Sequence, residues 1–398
     1  MNVTSIDIFC TVIDNFGDIG VVYRLATALH RHYHHAQIRV YVDDLMTFSK
    51  INPRVNPDTA VQSIDDITYI YTKCVSPETY ALDKPAKLLI EAFGCLIPDF
   101  IMKRAYYESD LLINLEYLSA ENWVDGYHMM ESLLPEGSLK KYFFMPGFSP
   151  DTGGVILNHK TPLQHELHAP DRFTSLNNIL VKYDYCFSPE FSGTIGLLFT
   201  YTRNMSALIS CIVNDYAETT FVILVFGQKS RLSVMHYLSE SGVPEINSSV
   251  TVHKNLTFIF MENIPQEEFD RLLYFTDFNI VRGEDSLVRA ILSGNPFVWN
   301  AYIQDNKYQK VKVEALCEIM EKFFESTYDY KEYHQLMLTF NDIEREDLQV
   351  VPTENFTYFF KNLKIFKHTT QKMCYFLHQR CDLIEKISAF IEKFRNNQ

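Results

Sequence analysis

Two aspartates, Asp14 and Asp18, stand in a short glycine-containing segment that follows an apolar run and precedes a helical pattern. This order predicts a strand, a loop and a helix, and open α/β sheets bind their ligands at such loops. Asn15, Phe16 and Gly17 lie between the two aspartates, and a glycine lets the backbone approach a ligand closely. The segment therefore predicts an active-site loop. Capping of the turn and of the helix N-terminus by the two aspartates explains the same residues equally well.

A third carboxylate, Glu116, follows an apolar run at residues 111–115 that predicts a strand. If the two strands belong to one parallel sheet, Glu116 lies at the same edge of that sheet as Asp14 and Asp18. Three carboxylates from different strand ends would form an anionic pocket suited to a guanidinium or an ammonium group. A solvated surface position is the alternative for Glu116, and the sequence supports both interpretations.

In the second half of the chain, the segment from Arg282 through Gly283, Glu284, Asp285 and Ser286 follows one predicted strand and begins a helix. Backbone N–H groups and the helix dipole at such a position would bind a diphosphate, with the serine hydroxyl as a further donor. The two acidic side chains would repel the phosphates unless they contact sugar hydroxyls. Alternatively, they only stabilise the first helical turn.

Three further residues are candidates for binding a nucleotide. Gln266 begins a predicted helix after Pro265, and its amide could bind the edge of a base. A proline followed by a good helix former is, however, a common helix start without a ligand. Phe199 and Tyr201 alternate at the end of a predicted strand, where one ring could reach a ligand. Burial in the core is the ordinary alternative for both rings.

Short β-rich runs recur along the first half of the chain, at residues 6–13, 38–42, 67–71, 87–93, 111–115 and 142–145. Several of them are apolar on both faces, which indicates parallel strands covered by helices. A second series follows at residues 194–200, 219–226, 256–260, 278–281 and 297–299, alternating with helical patterns at 204–214, 230–239, 266–275 and 285–292. The chain is therefore predicted to be an α/β protein with two doubly wound domains.

A stretch with little periodicity, at residues 149–178, predicts the boundary between these domains. We therefore expect an N-terminal domain at residues 1–180 and a C-terminal domain at residues 181–368. Residues 369–398 predict one long amphipathic helix or two, joined to the first domain. Two such domains facing one another would form a central cleft suited to a nucleotide-linked substrate.

The composition excludes several classes of partner. The net charge of −14 argues against nucleic acid, which requires a clustered basic surface. No apolar stretch reaches the roughly 18 residues that cross a bilayer, so we expect no membrane association.

The eight cysteines are scattered and follow no secretory signal, which predicts a cytoplasmic protein. His165 and His168 lack the spacing of a zincin helix, and we predict no metal.

Many short blocks of the sequence together resemble the bacterial elongation factor P arginine rhamnosyltransferases, the EarP family. The blocks are residues 7–10 (DIFC), 14–20 (DNFGDIG), 42–45 (VDDL), 90–95 (IEAFGC), 113–123 (INLEYLSAENW), 141–148 (KYFFMPGF), 152–154 (TGG), 198–201 (LFTY), 265–266 (PQ), 281–286 (VRGEDS) and 296–299 (PFVW). They occur in one order over residues 6–305, while the C-terminal helices match only in character.

The resemblance implies a GT-B glycosyltransferase, which has two Rossmann-like domains. It implies transfer of L-rhamnose from dTDP-β-L-rhamnose to one arginine of translation elongation factor P, with inversion at the anomeric carbon. In this family Asp18 would be the general base, and Asp14 would help to hold the acceptor arginine. The resemblance does not imply a role for Glu116, and its place in this pocket rests only on its position after a predicted strand. No cofactor is implied besides the nucleotide sugar.

The resemblance also implies a donor site in the C-terminal domain, around the base, the ribose and the diphosphate. The donor-binding residues expected from the resemblance and the glycine loop are Asn15, Phe16, Gly17, Phe199, Tyr201, Gln266, Arg282, Gly283, Glu284, Asp285 and Ser286. The chain departs from the family at Asn263, where the family carries a phenylalanine that stacks on the thymine. A nearby ring such as Phe258 or Phe260 could replace it.

Two other functions remain compatible with the sequence. One is a GT-B transferase that uses another nucleotide sugar or another protein acceptor. The other is a non-catalytic binding module for elongation factor P. Asp14 and Asp18 favour a cationic acceptor, and retention of both Asp18 and the segment at residues 282–286 favours an active enzyme.

Overall fold

The computed structural model describes residues 3–13, 16–80, 84–157, 172–243, 248–262 and 264–396. The chain divides into two compact units. The first unit consists of Met1–Leu157 and Leu377–Gln398, and the second unit is Asn158–Phe376.

These limits differ from the predicted domain boundaries at residues 180/181 and 368/369. The helix Arg172–Leu180 belongs to the second unit. There, the guanidinium of Arg172 forms an ion pair with Asp277 at 2.9 Å and donates to the carbonyl oxygen of Phe275. The helix is therefore attached to the second unit, whereas the prediction includes it in the N-terminal domain at residues 1–180.

The first unit is built on a sheet with parallel central strands. Its strands are β1 (Ser5–Cys10), β2 (Gln37–Val42), β3 (Val61–Ile64), β4 (Ile67–Tyr71), β5 (Leu88–Ala92), β6 (Leu111–Leu115), β7 (Glu131–Ser132) and β8 (Lys140–Phe144). Within the described residues they form an eight-stranded sheet in the order β3-β4-β2-β1-β5-β6-β8-β7. The two edge strands, β3 and β7, pair antiparallel with their neighbours.

Helices connect the strands of this sheet. They are α1 (Phe16–His32), α2 (Leu45–Ile51), α3 (Pro77–Tyr80), α4 (Asp99–Glu108) and α5 (Trp123–Tyr127). The predicted strands at residues 67–71 and 111–115 coincide with β4 and β6, and the other four predicted strands are β1, β2, β5 and β8 with shifted ends. β5 and β6 are buried almost throughout, and their apolar runs lack alternation. β1 and β2 are equally buried although they contain Asp7 and Arg39, because these two side chains form a buried ion pair.

The second unit repeats this arrangement. Its strands are β9 (Thr194–Leu198), β10 (Phe221–Phe226), β11 (Val250–His253), β12 (Leu256–Met261), β13 (Phe278–Arg282) and β14 (Phe297–Asn300). Among the residues that the structure describes they form a six-stranded sheet in the order β11-β12-β10-β9-β13-β14, with β11 antiparallel. All five strands predicted in this half are therefore confirmed, with ends that differ by one or two residues.

The helices of the second unit flank this sheet and follow it. They are α6 (Arg172–Leu180), α7 (Ser206–Asp215), α8 (Gly227–Glu240), α9 (Gln266–Phe275), α10 (Glu284–Ser293), α11 (Gln309–Glu321), α12 (Thr327–Phe340) and α13 (Thr357–Lys361). Alternation of strands with α7 to α10 puts successive strand ends at the same edge of the sheet, which is the arrangement that the sequence pattern predicts.

Two helices complete the chain, α14 (Leu363–Arg380) and α15 (Leu383–Asn396). α15 buries one apolar face in the core of the first unit, formed by Leu383, Ile384, Ile387, Ile391 and Phe394. None of the helices within the described ranges combines the length and the apolar character that crossing a bilayer requires.

The backbone around Gly154 holds this returning segment. A Cβ on Gly154 would lie 2.4 Å from the carbonyl oxygen of Cys381, so only glycine permits this approach. The N–H of Val155 donates to that same carbonyl oxygen at 2.8 Å, and the N–H of Leu383 donates to the Val155 carbonyl oxygen at 3.0 Å. The ammonium group of Lys386 donates to backbone carbonyl oxygens of the preceding loop, including that of Pro150 at 2.7 Å.

Candidate active site

Asp18 lies in the first turn of α1, close to the carboxyl end of β1, and only 2% of its surface is exposed. The backbone N–H of Ile13 donates to its Oδ2 atom at 2.8 Å, and the hydroxyl of Tyr117 donates to its Oδ1 atom at 3.1 Å. Hydrogen bonds to both oxygens fix the plane of this buried carboxylate.

The backbone that directly follows β1 is held by a second carboxylate. The N–H of Val12 donates to Oδ1 of Asp43 at 2.8 Å. Asp14 and Asn15, which the sequence assigns to the acceptor pocket and the donor site, lie outside the described residues. Phe16 and Gly17, also assigned to the donor site, begin α1 and are half-buried.

Glu116 directly follows β6 and is half-buried. Its Oε1 atom accepts a hydrogen bond from the side-chain amide of Asn114 at 2.8 Å, and its N–H donates to the carbonyl oxygen of Phe144 at 3.0 Å. The next residue, Tyr117, makes the hydrogen bond to Asp18. The end of β6 therefore reaches the Asp18 carboxylate through Tyr117, while the role of Glu116 in the acceptor pocket stays a prediction.

The environment of Asp18 also affects a neighbouring thiol. Burial, and next the negative charge of Asp18, raise the pKa of Cys10 well above its ordinary value. Cys10 ends β1 and belongs to the buried core of the first unit. Its thiol therefore stays protonated and neutral beside the carboxylate, and it adds no second negative charge there.

In the second unit, Arg282 ends β13 and lies against two aromatic rings. Its guanidinium carbon is 4.5 Å from the ring centroid of Phe199 and 4.8 Å from that of Tyr201. Both rings follow β9, the strand that pairs with β13. The Tyr201 N–H donates to Oδ1 of Asn300 at 2.9 Å, which fixes this backbone to the end of β14. The structure thus brings together three residues that the sequence assigns to the donor site.

The N-terminus of α10 follows Arg282 directly. Its N-cap residue is Gly283, with a φ of 70° and a ψ of 169°. Residues with a Cβ rarely adopt this conformation. The indole N–H of Trp299 donates to the carbonyl oxygen of Gly283 at 3.1 Å. Ser286 lies half-buried in the first turn of α10. A helix start of this kind directs N–H donors and a partial positive charge toward an anion.

The acidic residues of this turn have defined partners. The Gln266 amide lies 3.5 Å from Oδ2 of Asp285, a distance at the limit of a hydrogen bond. Asp285 also lies 3.6 Å from the guanidinium of Arg289, and Glu284 lies 3.6 Å from the ammonium of Lys312. Cations therefore offset the charge of both acids, which lowers the repulsion that they would exert on a diphosphate. Gln266 is brought to the same turn, and its contact with a base stays a prediction.

The position at which the family carries a stacking phenylalanine, Asn263, lies outside the described residues. Phe258 and Phe260 are both buried in β12, and the guanidinium of Arg231 lies 4.6 Å from the ring centroid of Phe260. Neither ring therefore presents a free face for a base. Within the described residues, no group of three or more histidine, cysteine, aspartate or glutamate side chains is arranged to hold a metal ion.

Sequence reasoning did not single out Tyr117 and Trp299, which contact predicted site residues, or Phe93, which contacts Tyr117. Tyr117 and Trp299 lie inside the family-like blocks at residues 113–123 and 296–299, but neither was predicted as a site residue. Phe93, whose ring stacks on that of Tyr117 at 4.6 Å between centroids, precedes a glycine at a strand end. For Tyr117 and Phe93 the available signal was an aromatic residue next to a carboxylate or a glycine at a strand end, and Trp299 carries no such signal.

Comparison with known proteins gives a consistent result. The family model for the elongation factor P (EF-P) rhamnosyltransferase EarP matches residues 6–392. A protein-arginine rhamnosyltransferase of Shewanella oneidensis is 35% identical over 327 residues, which cover 80% of this chain and 81% of the relative. A protein-arginine rhamnosyltransferase of Pseudomonas putida is 34% identical over 323 residues, which cover 78% of this chain and 79% of the relative.

A solved structure from work on EarP-mediated arginine glycosylation of translation elongation factor EF-P covers 99% of both chains, with a TM-score of 0.63 and 21% identity. At this identity the likeness shows the fold, and it confirms the predicted α/β fold class of GT-B type. The match over residues 6–392, together with the two relatives, shows the family. The chain therefore belongs to the EarP family of elongation factor P rhamnosyltransferases, and the enzyme class predicted from its sequence, a protein-arginine rhamnosyltransferase, is confirmed.

Proposed function

We propose that this chain transfers L-rhamnose from dTDP-β-L-rhamnose to one arginine of translation elongation factor P, with inversion at the anomeric carbon. The observation that carries the proposal is Asp18, a buried carboxylate that two hydrogen bonds hold at the end of a parallel strand. The family to which the chain belongs is described as acting on elongation factor P, which supports this acceptor. We further propose a cytoplasmic location, which the eight free cysteines support.

The chemistry of the acceptor explains why a fixed carboxylate is needed. A guanidinium has a pKa above about 12 and is a poor nucleophile while it remains protonated. A carboxylate can hold its planar N–H groups and can accept a proton as the new bond forms. In the proposed step an arginine nitrogen attacks the anomeric carbon, its proton passes to Asp18, and the bond from that carbon to the diphosphate breaks. A single displacement of this kind inverts the configuration, so no covalent sugar intermediate is required.

The leaving group needs donors or positive charge. Arg282 and the N-terminus of α10 would stabilise the negative charge that develops on the diphosphate, and Ser286 would add a hydroxyl donor. Phe199 and Tyr201 hold the guanidinium of Arg282 in its present place. Because these groups can supply the stabilisation, we propose that the transfer proceeds without a metal ion.

Intact-mass spectrometry tests the whole proposal. Purified elongation factor P is incubated with this protein and dTDP-β-L-rhamnose in the presence of EDTA. A gain of one deoxyhexose, localised to an arginine by peptide mapping, is the expected result, and NMR should find the linked sugar in the α configuration. Binding of dTDP-β-L-rhamnose without a mass gain would indicate another acceptor or a non-catalytic binding module. Absence of donor binding would contradict the donor assignment.

A substitution tests the base. Asp18→Asn keeps the side-chain volume and removes the proton acceptor, so transfer should fall by at least about 100-fold. Binding of dTDP-β-L-rhamnose should stay close to that of the wild type, because asparagine keeps the shape of the side chain beside Phe16 and Gly17 and the other described donor-site residues lie in the second unit. Asp58→Asn, at an exposed position of the first unit, is the matched control and should retain full activity. Near-normal turnover by Asp18→Asn would remove Asp18 as the base.

A further inference from the structure

Phe93 has a backbone conformation that aromatic residues rarely adopt. It follows β5 with a φ of 58°, in the left-handed region. For a bulky residue this conformation is a true outlier and is strained. The N–H of Phe93 nevertheless donates to the carbonyl oxygen of Leu115 at 2.7 Å, which ties the turn to the end of β6. Strain of this kind persists only where surrounding contacts impose it, and it often marks a functional site.

The strained turn directs the Phe93 ring onto Tyr117. The two ring centroids are 4.6 Å apart and the ring planes differ by 18°, so the rings are stacked. Tyr117 keeps 41% of its surface exposed, whereas a tyrosine that served only the core would be covered. The face-to-face contact with Phe93 orients the Tyr117 ring, and the Tyr117 hydroxyl donates to Oδ1 of Asp18.

We propose that Phe93 and Tyr117 are positioning residues for the Asp18 carboxylate. The inference rests on the proposed function, in which Asp18 accepts the proton from the arginine. The Ile13 N–H holds one carboxylate oxygen and the Tyr117 hydroxyl holds the other. With both oxygens held, the carboxylate cannot rotate about its χ2 bond, and its plane is set before the acceptor arrives. A planar guanidinium pairs with a carboxylate when the two planes coincide, so this preorganisation favours transfer.

Tyr117→Phe tests the hydroxyl. The variant keeps the ring and its stack on Phe93 and removes only the donor to Asp18. We expect kcat for rhamnosylation of elongation factor P to fall about tenfold or more, as for the loss of a hydrogen bond to a charged group. The KM values for dTDP-β-L-rhamnose and for elongation factor P should stay close to those of the wild type. A merely structural role would not lower kcat while both KM values stay unchanged.

Tyr107→Phe is the matched control. The Tyr107 hydroxyl donates to Oε2 of Glu136 at 2.9 Å, also in the first unit, on an exposed side chain. The substitution therefore removes the same kind of hydrogen bond away from Asp18, and kcat should be unchanged. Phe93→Leu is the second variant, since it keeps an apolar side chain and removes the stack. It should lower kcat by less than Tyr117→Phe, because the hydroxyl remains.

The outcomes separate this inference from the proposed function. If Asp18→Asn retains normal turnover, the base assignment fails, and the positioning role fails with it. If Asp18→Asn is inactive while Tyr117→Phe and Phe93→Leu turn over normally, only the positioning role is overturned. A raised KM for elongation factor P with unchanged kcat would make Tyr117 an acceptor-binding residue and would also overturn it. Loss of kcat in both variants, with unchanged KM values, would establish the role.

Discussion

Replacing Gly283 by alanine should weaken nucleotide binding without creating a steric clash. A Cβ added to Gly283 would meet no heavy atom within 4 Å. The φ of 70° and ψ of 169° are, however, almost exclusive to glycine, and holding another residue there costs about 1–3 kcal/mol. The Trp299 indole holds the Gly283 carbonyl, so the turn is braced from β14. An alanine that relaxes this strain moves the first N–H groups of α10 away from their present directions.

When a diphosphate binds, the binding energy must restore the strained conformation, which costs the same amount, about 1–3 kcal/mol. Because about 1.4 kcal/mol corresponds to a tenfold change, the dissociation constant for dTDP should rise about 5- to 150-fold. Isothermal titration calorimetry with the purified protein measures this constant. Gly242→Ala is the control, since Gly242 has a φ of 75° and equally open surroundings at the end of α8. It should lower the melting temperature and leave dTDP binding intact.

One result would refute this reasoning. If Gly283→Ala binds dTDP within about twofold of the wild type and loses only melting temperature, as Gly242→Ala should, the turn does not set nucleotide affinity. The strain would then be a cost to folding alone, and the N-terminus of α10 would not be the diphosphate site.

Three other predictions concern single side chains. Arg282→Lys loses the planar group that lies against two rings, so the KM for dTDP-β-L-rhamnose should rise about 5- to 30-fold in steady-state assays. Burial, and next the charge of Lys386, lower the pKa of His128 to about 4 from 6.5. The unfolded chain therefore binds a proton below pH 6.5 before the folded protein does. Up to about 2 kcal/mol of stability, fully present above that pH, should be lost as the pH falls to about 4. Thermal melts of His128→Asn should show a weaker pH dependence. Asp7→Asn removes the negative charge that lies 2.7 Å from the buried Arg39 guanidinium. In denaturant unfolding it should destabilise the protein by about 3–5 kcal/mol. Replacing both residues with apolar ones should cost less.

The parallel strands could be predicted because their burial leaves a plain mark on the sequence. β10 consists of six apolar residues and every one of them is buried, and such a short apolar run is typical of a central parallel strand. β3, β7 and β11 were not predicted. They are edge strands, and most of their residues are exposed or half-buried. These three exposed edge strands form through pairing with a neighbour rather than through burial of apolar residues, so a single sequence carries little signal for them. β14, the edge strand that is wholly buried, was predicted.

The candidate site was predictable only in part, for a related reason. Asp18 and Arg282 could be proposed because each follows a strand, and strand ends share one edge of a parallel sheet. The bond from Tyr117 to Asp18 joins residues 99 positions apart. It depends on the order β1-β5-β6 in the sheet and on the left-handed turn at Phe93. Neither the strand order nor the backbone angle of one residue follows from composition or periodicity.

The first unit is assembled from two segments of chain that leave the ribosome far apart in time. Residues 158–376 separate them, and at about 5–20 residues per second their synthesis takes roughly 10–40 s. Until α15 emerges, the apolar surface that receives Ile387 and Ile391 remains open to water on the nascent N-terminal sheet. Such a surface is what chaperones bind and what causes aggregation. The yield of folded enzyme in a cell therefore depends on how fast the intervening second unit is translated.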